Sequence, residues 1–169
     1  VETYLNYTGR VLVGVTNART RKAENLGGTL LDHKSAMLRA TCAIPLYVPE
    51  VDIGDEIYYD GGLADPIPIV KSLHDGNKKN LIVLTQPRDY RKVMQRSTQL
   101  AILTLRRKYP ELARTMQNRA QHYNDTVCFC HQLAQKRPQD TVVLQPSAHL
   151  ESFEKDVKKL EWGYEMGYN

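Results

Sequence analysis

Short apolar runs that are typical of buried β-strands alternate along this 169-residue chain with segments of helical periodicity. The runs are RVLVGVTN at 10–17, IYY at 57–59, LIVLT at 81–85 and TVVL at 141–144. Continuous apolar strands separated by helices are typical of a parallel sheet that is covered on both faces. The sequence therefore predicts an α/β fold built on a mainly parallel sheet flanked by helices.

Helical periodicity fills the intervals between these strands. Short helices are predicted at about 31–43 and at 69–73, and a long one from Pro110 to a point before Pro138. The apolar stripe of the long helix consists of Leu112, Met116, Ala120, Tyr123, Val127, Cys130 and Ala134. A second stripe consists of Leu150, Phe153, Val157, Leu160, Tyr164 and Tyr168. This second stripe predicts a C-terminal helix that packs on the sheet.

Composition excludes several classes of protein. With 41% hydrophobic and 25% charged residues, the chain is typical of a globular domain that buries a core. The net charge of +4 is a small excess with both signs scattered, so no nucleic-acid partner is expected. No apolar run approaches the ~20 residues of a membrane-spanning helix, and the N-terminus lacks the pattern of a signal peptide. Three cysteines form no disulfide framework, which favours a reducing compartment such as the cytoplasm.

The segment IYYDGGLADPIP at 57–68 carries the strongest functional signal. Asp60 follows a predicted strand directly, and ligands of open α/β sheets gather at the carboxyl ends of strands. Gly61 and Gly62 allow the backbone to approach another segment closely. A carboxylate held there can orient or deprotonate a nucleophile. The alternative is that Asp60 only caps its own turn by accepting hydrogen bonds from the backbone amides that follow.

The order of these motifs resembles the C-terminal half of the patatin-like phospholipase family, particularly its bacterial members. In that family a helix ending in an Ala-Ser-Ser-Ala-x-Pro type sequence precedes a strand ending in Asp-Gly-Gly or Asp-Gly-Ala. Here ATCAIP at 40–45 and Asp-Gly-Gly at 60–62 occupy those places, with Asp-Pro at 65–66 following. The resemblance is specific over residues 9–90, and Thr41 and Cys42 replace the usual serines.

The resemblance implies a patatin-like three-layer sandwich and a Ser-Asp dyad. A serine on a Gly-x-Ser-x-Gly turn attacks an ester carbonyl, and Asp60 assists the proton transfer. None of the serines of this chain lies between glycines at that spacing. The resemblance therefore implies that 1–169 is the C-terminal portion of one acyl hydrolase domain, incomplete at its N-terminal side. A helical extension would run from about 91 to 169, and the chain alone would be inactive.

Two other readings of the function stay open. The first is a noncatalytic patatin-like module that binds lipid or a protein partner after loss of its nucleophile. The second is an unrelated α/β domain in which Asp60 caps a turn. No Gly-x-Gly-x-x-Gly or P-loop motif occurs, so no nucleotide cofactor is expected. The spacing of Cys128, Cys130 and His131 lacks a second pair of zinc ligands, which favours ordinary thiols over a metal site.

The resemblance and the sequence pattern also suggest what the chain binds. The expected substrate is a lipid or another carboxylic ester. Peripheral membrane contact could come from the basic stretch at 88–108 or from Trp162, Tyr164 and Tyr168, although a solvated face for the first and helix packing for the second are the favoured explanations. An incomplete sheet would expose an edge strand, and this predicts pairing with another copy or with a missing segment.

Overall fold

The computed structural model describes residues 8–27, 35–149, 151 and 154–168. The strands are β1 (Leu12–Asn17), β2 (Ala23–Gly27), β3 (Val51–Ile53), β4 (Glu56–Asp60), β5 (Asn80–Val83) and β6 (Thr141–Leu144). The helices are α1 (Ala36–Thr41), α2 (Ile69–His74), α3 (Arg96–Leu105), α4 (Pro110–Lys136) and α5 (Val157–Tyr168), and a 3₁₀ turn covers Gly61–Leu63. The chain divides into two compact units. The first comprises 1–68 and 93–123, and the second comprises 69–92 and 124–169.

The first unit contains a four-stranded sheet in the order β2-β1-β4-β3, with every pairing antiparallel. Five residues connect β1 to β2, and the two residues Gly54 and Asp55 connect β3 to β4. Gly54 has a φ of +61°, which suits the first central position of a tight hairpin turn. The side chain of Asn17 holds the other connection, since its Oδ1 accepts the N–H groups of Arg19 and Thr20 at 3.0 Å each.

The prediction of a mainly parallel sheet is not confirmed. Among the described strands, only β5 and β6 pair in parallel. The error has a physical cause for two of the three antiparallel pairs. Connections of five and two residues join β1 to β2 and β3 to β4, and such short connections can join only antiparallel neighbours, whereas a parallel pair needs a long crossover. The mixed α/β character of the fold is retained, with helices and sheets in both units.

The core of the first unit lies between its sheet and its helices. Val15, Ala40, Ala43 and Leu112 have no exposed surface. The predicted apolar stripe of α4 supplies Leu112 and Met116 to this core. At the edge of the core, Glu50 Oε2 accepts the hydroxyl of Tyr59 at 2.9 Å, and Glu50 Oε1 pairs with the Lys108 ammonium. The hydrogen bond from the Lys108 ammonium lowers the pKa of Glu50 to about 2, and the hydrogen bond from Tyr59 acts in the same direction.

The second unit contains the parallel pair β5 and β6, with Leu81 opposite Val142 and Val83 opposite Leu144. Ile82, Leu84 and Thr141 are buried, while the four paired residues on the other face are 48–68% exposed. In this two-stranded sheet both strands are edges, and pairing with another copy stays a prediction.

Two residues of the predicted C-terminal stripe, Leu150 and Phe153, lie outside the residues that the structure describes. No residue of α5 is buried, so its predicted packing on the sheet finds no support.

None of the described helices is both long and apolar enough to cross a bilayer.

Truncation of Leu112 tests the core. Leu112 has no exposed surface, whereas Leu103 on α3 is 55% exposed. We expect Leu112→Ala to lower the free energy of unfolding by about 2–5 kcal/mol, because a cavity replaces buried methyl groups. Leu103→Ala serves as the control and should change it by less than about 1 kcal/mol. Urea denaturation followed by circular dichroism measures both, and equal losses would contradict the assigned core.

Acid titration tests the Glu50 cluster. The pKa of Glu50 is lower in the folded chain than its ordinary value of 4.5, so its contribution to stability is present above that pH. The contribution is lost as the pH falls from there toward 2. Glu50→Gln should therefore flatten the acid limb of a plot of unfolding free energy against pH. Asp52→Asn, at an exposed position of β3, should leave that limb unchanged.

Candidate active site around Asp60

Asp60 ends β4 at the point where this strand lies beside β1, directly opposite Val15. Its backbone N–H donates to the Ala43 carbonyl at 3.0 Å, so the segment after α1 holds it from one side. Its Oδ1 accepts the N–H of Gly62 at 2.7 Å and thereby caps the 3₁₀ turn. The residue is partly exposed. Asp60 thus has the turn-capping contact, and it also stands at the end of a strand in a fixed position.

A buried hydroxyl connects β1 to this turn. Thr16 Oγ1 donates to the Asp60 carbonyl at 2.8 Å and accepts the Ala64 N–H at 3.2 Å. Thr16 has no exposed surface, so water does not compete for these bonds. The single hydroxyl therefore fixes the backbone on both sides of the glycine pair.

A side chain at position 61 would clash with β1, and one at position 62 would lie tightly against the Asp60 side chain. A Cβ on Gly61 would stand 2.4 Å from the Gly14 carbonyl oxygen, closer than any real contact. A Cβ on Gly62 would stand 3.0 Å from Asp60 Oδ1. The Gly62 carbonyl accepts Arg119 Nε at 2.8 Å, so α4 also holds this turn. The turn can approach β1 this closely because Gly61 lacks a side chain.

Thr41 and Cys42 occupy the positions of the serines in the resembling motif. Thr41 Oγ1 donates to the Gly14 carbonyl at 2.6 Å, which is the same carbonyl that faces Gly61. The Cys42 thiol is exposed. Thr41 therefore supports the contact between β1 and the glycine turn, and its hydroxyl is engaged in a structural bond.

A cavity of about 200 Å³ lies beside the turn within the first unit. It is lined by Gly14, Val15, Ala23, Glu24, Asn25, Thr41, Gly61, Gly62, Asp65, Pro66 and Pro68. Asp60 stands next to this lining in sequence but does not contribute to it. Among the lining residues Thr41 carries the sole hydroxyl, so the cavity contains carboxylates but no serine nucleophile.

Asp65 is a site residue that sequence reasoning treated only as part of a motif. Its N–H donates to the Gly61 carbonyl at 2.9 Å, and its side chain lines the cavity. Burial raises the pKa of its carboxyl group, and the nearby His122 partly offsets this. The available signal was its place in the same Asp-Gly-Gly-Leu-Ala-Asp turn.

Around the cysteine and histidine cluster of α4, no group of three or more potential metal ligands comes together in the part of the chain that the structure describes. Cys130 is buried, and burial raises the pKa of its thiol to about 11. A protonated, enclosed thiol is a packing residue, since a metal ligand must be a thiolate. Cys128 is exposed.

Comparison with known proteins agrees with the motif. Residues 10–71 match the Patatin-like phospholipase family, which confirms the resemblance over that segment and indicates a lipid-hydrolase-like function. Residues 109–169 match a second family, described as Domain of unknown function (DUF6363). No curated protein and no solved structure gave a significant match.

Substitution of the glycines tests the close approach. Gly61→Ala places a methyl group against the Gly14 carbonyl, so we expect a loss of about 1–3 kcal/mol in stability or a failure to fold. Gly14→Ala is the matched control from the other side of the same contact, because its Cβ meets nothing within 4 Å. The control should melt at or above the temperature of the unsubstituted chain. Equal thermal stability of the two variants would contradict the contact.

Proposed function

We propose that these 169 residues belong to a lipid acyl hydrolase and supply the carboxylate of its Ser-Asp dyad, Asp60. The observation that carries the proposal is the match of residues 10–71 to the Patatin-like phospholipase family, a segment that contains the whole Asp-Gly-Gly turn. No serine of the chain lies on a Gly-x-Ser-x-Gly motif, so the proposal requires a nucleophile from outside these residues. Without it, the chain by itself is expected to be inactive.

The geometry around Asp60 supports a catalytic carboxylate. The backbone is held by the Ala43 carbonyl at 3.0 Å and by Thr16 Oγ1 at 2.8 Å. The carboxylate oxygen that accepts Gly62 N–H fixes the side chain as well. Because catalysis depends on groups that are already positioned, a rigid carboxylate at a strand end suits proton transfer better than one on a mobile loop. Partial exposure leaves the side chain accessible to a second group.

The proposed reaction transfers an acyl group in two steps. A serine Oγ attacks the ester carbonyl carbon while Asp60 takes the hydroxyl proton, and a tetrahedral oxyanion forms. Collapse of this intermediate breaks the bond to the alcohol, which leaves with that proton. Water then attacks the acyl-serine, and Asp60 again accepts and returns a proton, releasing the carboxylic acid. Donors for the oxyanion would also have to come from outside these residues.

A noncatalytic lipid- or protein-binding module is the second candidate. Two observations favour it. Asp60 Oδ1 is engaged in capping the turn, and the chain contains no Gly-x-Ser-x-Gly motif. In that case Asp60 has only a structural role. The two candidates differ in the effect that loss of the negative charge of Asp60 should have on ester turnover.

Lipid substrates would bring the protein to a membrane surface from the cytoplasm. All three cysteines are free thiols, which supports a reducing compartment. Among the basic residues between 88 and 108, Arg106 and Arg107 are exposed and suit contact with anionic head groups. Peripheral association of this kind is part of the same proposal.

Asp60→Asn in the whole protein that contains these residues separates the two candidates. The amide oxygen of asparagine can still accept Gly62 N–H, so the turn should persist while the base is lost. We expect turnover of a short-chain nitrophenyl ester to fall at least about 100-fold with thermal stability nearly unchanged.

Asp52→Asn removes an exposed carboxylate from β3 of the same sheet and should keep full turnover. Equal activity in Asp60→Asn and the unsubstituted protein would overturn the catalytic assignment. Absence of esterase activity from both would favour the binding module.

A further inference from the structure

A second opening lies entirely within the second unit. It is a groove of about 740 Å³, which falls within the range of small-molecule sites at ~300–1,000 Å³. It is lined by Pro87, Arg88, Asp89, His131, Ala134, Gln135, Val143, Gln145, Pro146 and Ser147. None of these residues lies in the segment that matches the Patatin-like phospholipase family, and none of them lines the cavity beside the Asp60 turn.

The groove is at the carboxyl ends of the parallel strands. Residues 87–89 follow β5, and residues 145–147 follow β6. Leu84 N–H donates to the Leu144 carbonyl at 2.8 Å, so the two strands stay paired up to this point. Ligands of parallel sheets bind beyond the carboxyl ends of the strands, where the connecting segments separate. This position distinguishes the groove from an arbitrary surface depression.

Hydrogen bonds hold the walls of the groove in place. Gln86, after β5, pairs its Oε1 with His149 Nδ1, after β6, at 2.7 Å. The ring of His149 stacks on Tyr90 with centroids 5.6 Å apart. The Asn124 side chain on α4 accepts Lys92 N–H at 2.9 Å and donates to the Lys92 carbonyl at 3.0 Å. The segment after β5 is therefore tied both to the end of β6 and to α4.

The groove contains several polar side chains that can donate hydrogen bonds, among them Arg88, His131 and Gln145. Arg88 is exposed and forms no ion pair with the residues that the structure describes. Gln145 Nε2 and His131 Nε2 are buried, and neither has a hydrogen-bond partner in the described part of the chain. A buried donor without an acceptor costs free energy, which a ligand oxygen would recover. Asp89 is the single carboxylate among the lining residues, and its negative charge would repel an anion.

The local field is positive at His131. Burial lowers the pKa of its imidazole, and the charges of Arg88 and Arg91 lower it further. A neutral ring can present an N–H to a negatively charged oxygen. Arg88, Gln145 and His131 belong to three different elements around the groove, so their donors come from several sides. A tetrahedral phosphate offers oxygens in several directions, whereas a carboxylate offers two in one plane.

We propose that this groove binds the phosphate group of a ligand through Arg88, with the Gln145 amide and the His131 ring as further donors. Arginine suits this role because its guanidinium presents several N–H groups to phosphate oxygens. The phosphate could belong to a soluble metabolite or to a phospholipid head group, and the chemistry of recognition is the same. The proposal does not depend on the catalytic assignment of Asp60.

Binding of two probes to the full chain tests this proposal. Glycerol phosphate is titrated while the backbone amide resonances of residues 86–89 and 145–147 are followed by NMR. Vesicles with and without phosphatidylglycerol are tested by co-sedimentation. We expect saturable shifts confined to the groove, and Arg88→Gln should weaken the affinity about tenfold or more. Gln145→Glu should weaken it comparably, because a donor is replaced by a repelling carboxylate.

Arg19→Gln and Gln117→Glu make the same charge changes at exposed positions of the first unit, outside the basic stretch at 88–108, and should bind like the unsubstituted chain. Groove shifts with glycerol phosphate would show that a soluble phosphate suffices. Binding that depends on Arg88 but occurs only with vesicles would assign the phosphate to a lipid head group. If Arg88→Gln binds both probes as well as Arg19→Gln does, the proposal is wrong.

Discussion

The contact of Gly61 with the Gly14 carbonyl determines where Asp60 stands. A Cβ at position 61 would lie 2.4 Å from that oxygen, so the turn and β1 can meet only if this residue is glycine. The Thr16 hydroxyl then hydrogen-bonds to the Asp60 carbonyl and the Ala64 N–H, and Arg119 on α4 donates to the Gly62 carbonyl. These contacts come from separate segments of the chain. Together they convert a flexible Asp-Gly-Gly sequence into a rigid support for one carboxylate.

The two units differ in the chemistry that they present. The first has a strand-end carboxylate, a second carboxylate at Asp65 whose pKa is raised by burial, and a small cavity that contains no serine. The second has a larger groove whose unpartnered polar groups are donors. We therefore propose proton transfer for the first unit and anion binding for the second. The match at 10–71 covers the Asp-Gly-Gly turn, whereas the match at 109–169 covers α4, β6 and α5 and so includes residues of both units.

Local patterns predicted several elements well. The apolar stripe from Pro110 predicted α4, which runs Pro110–Lys136, because helix periodicity depends on residues three and four apart. The strand before Asp60 was predicted from its aromatic and β-branched residues. The relative direction of the strands was not predicted correctly, because continuous apolar runs do not reveal which strands become neighbours. The Gly54-Asp55 hairpin signal between β3 and β4 would have indicated an antiparallel pair.

The sequence by itself determined that Asp60 ends a strand, that two glycines follow it, and that the segment resembles a hydrolase motif. These are properties of adjacent residues. Tertiary structure decided what faces the turn: Thr16 is 44 positions from Asp60, and Arg119 is 57 positions from Gly62. It also brought the ends of β5 and β6 together from positions 83 and 144. Contacts over such separations depend on which strands pair and which helices cover them, and no local spacing in the sequence encodes that choice.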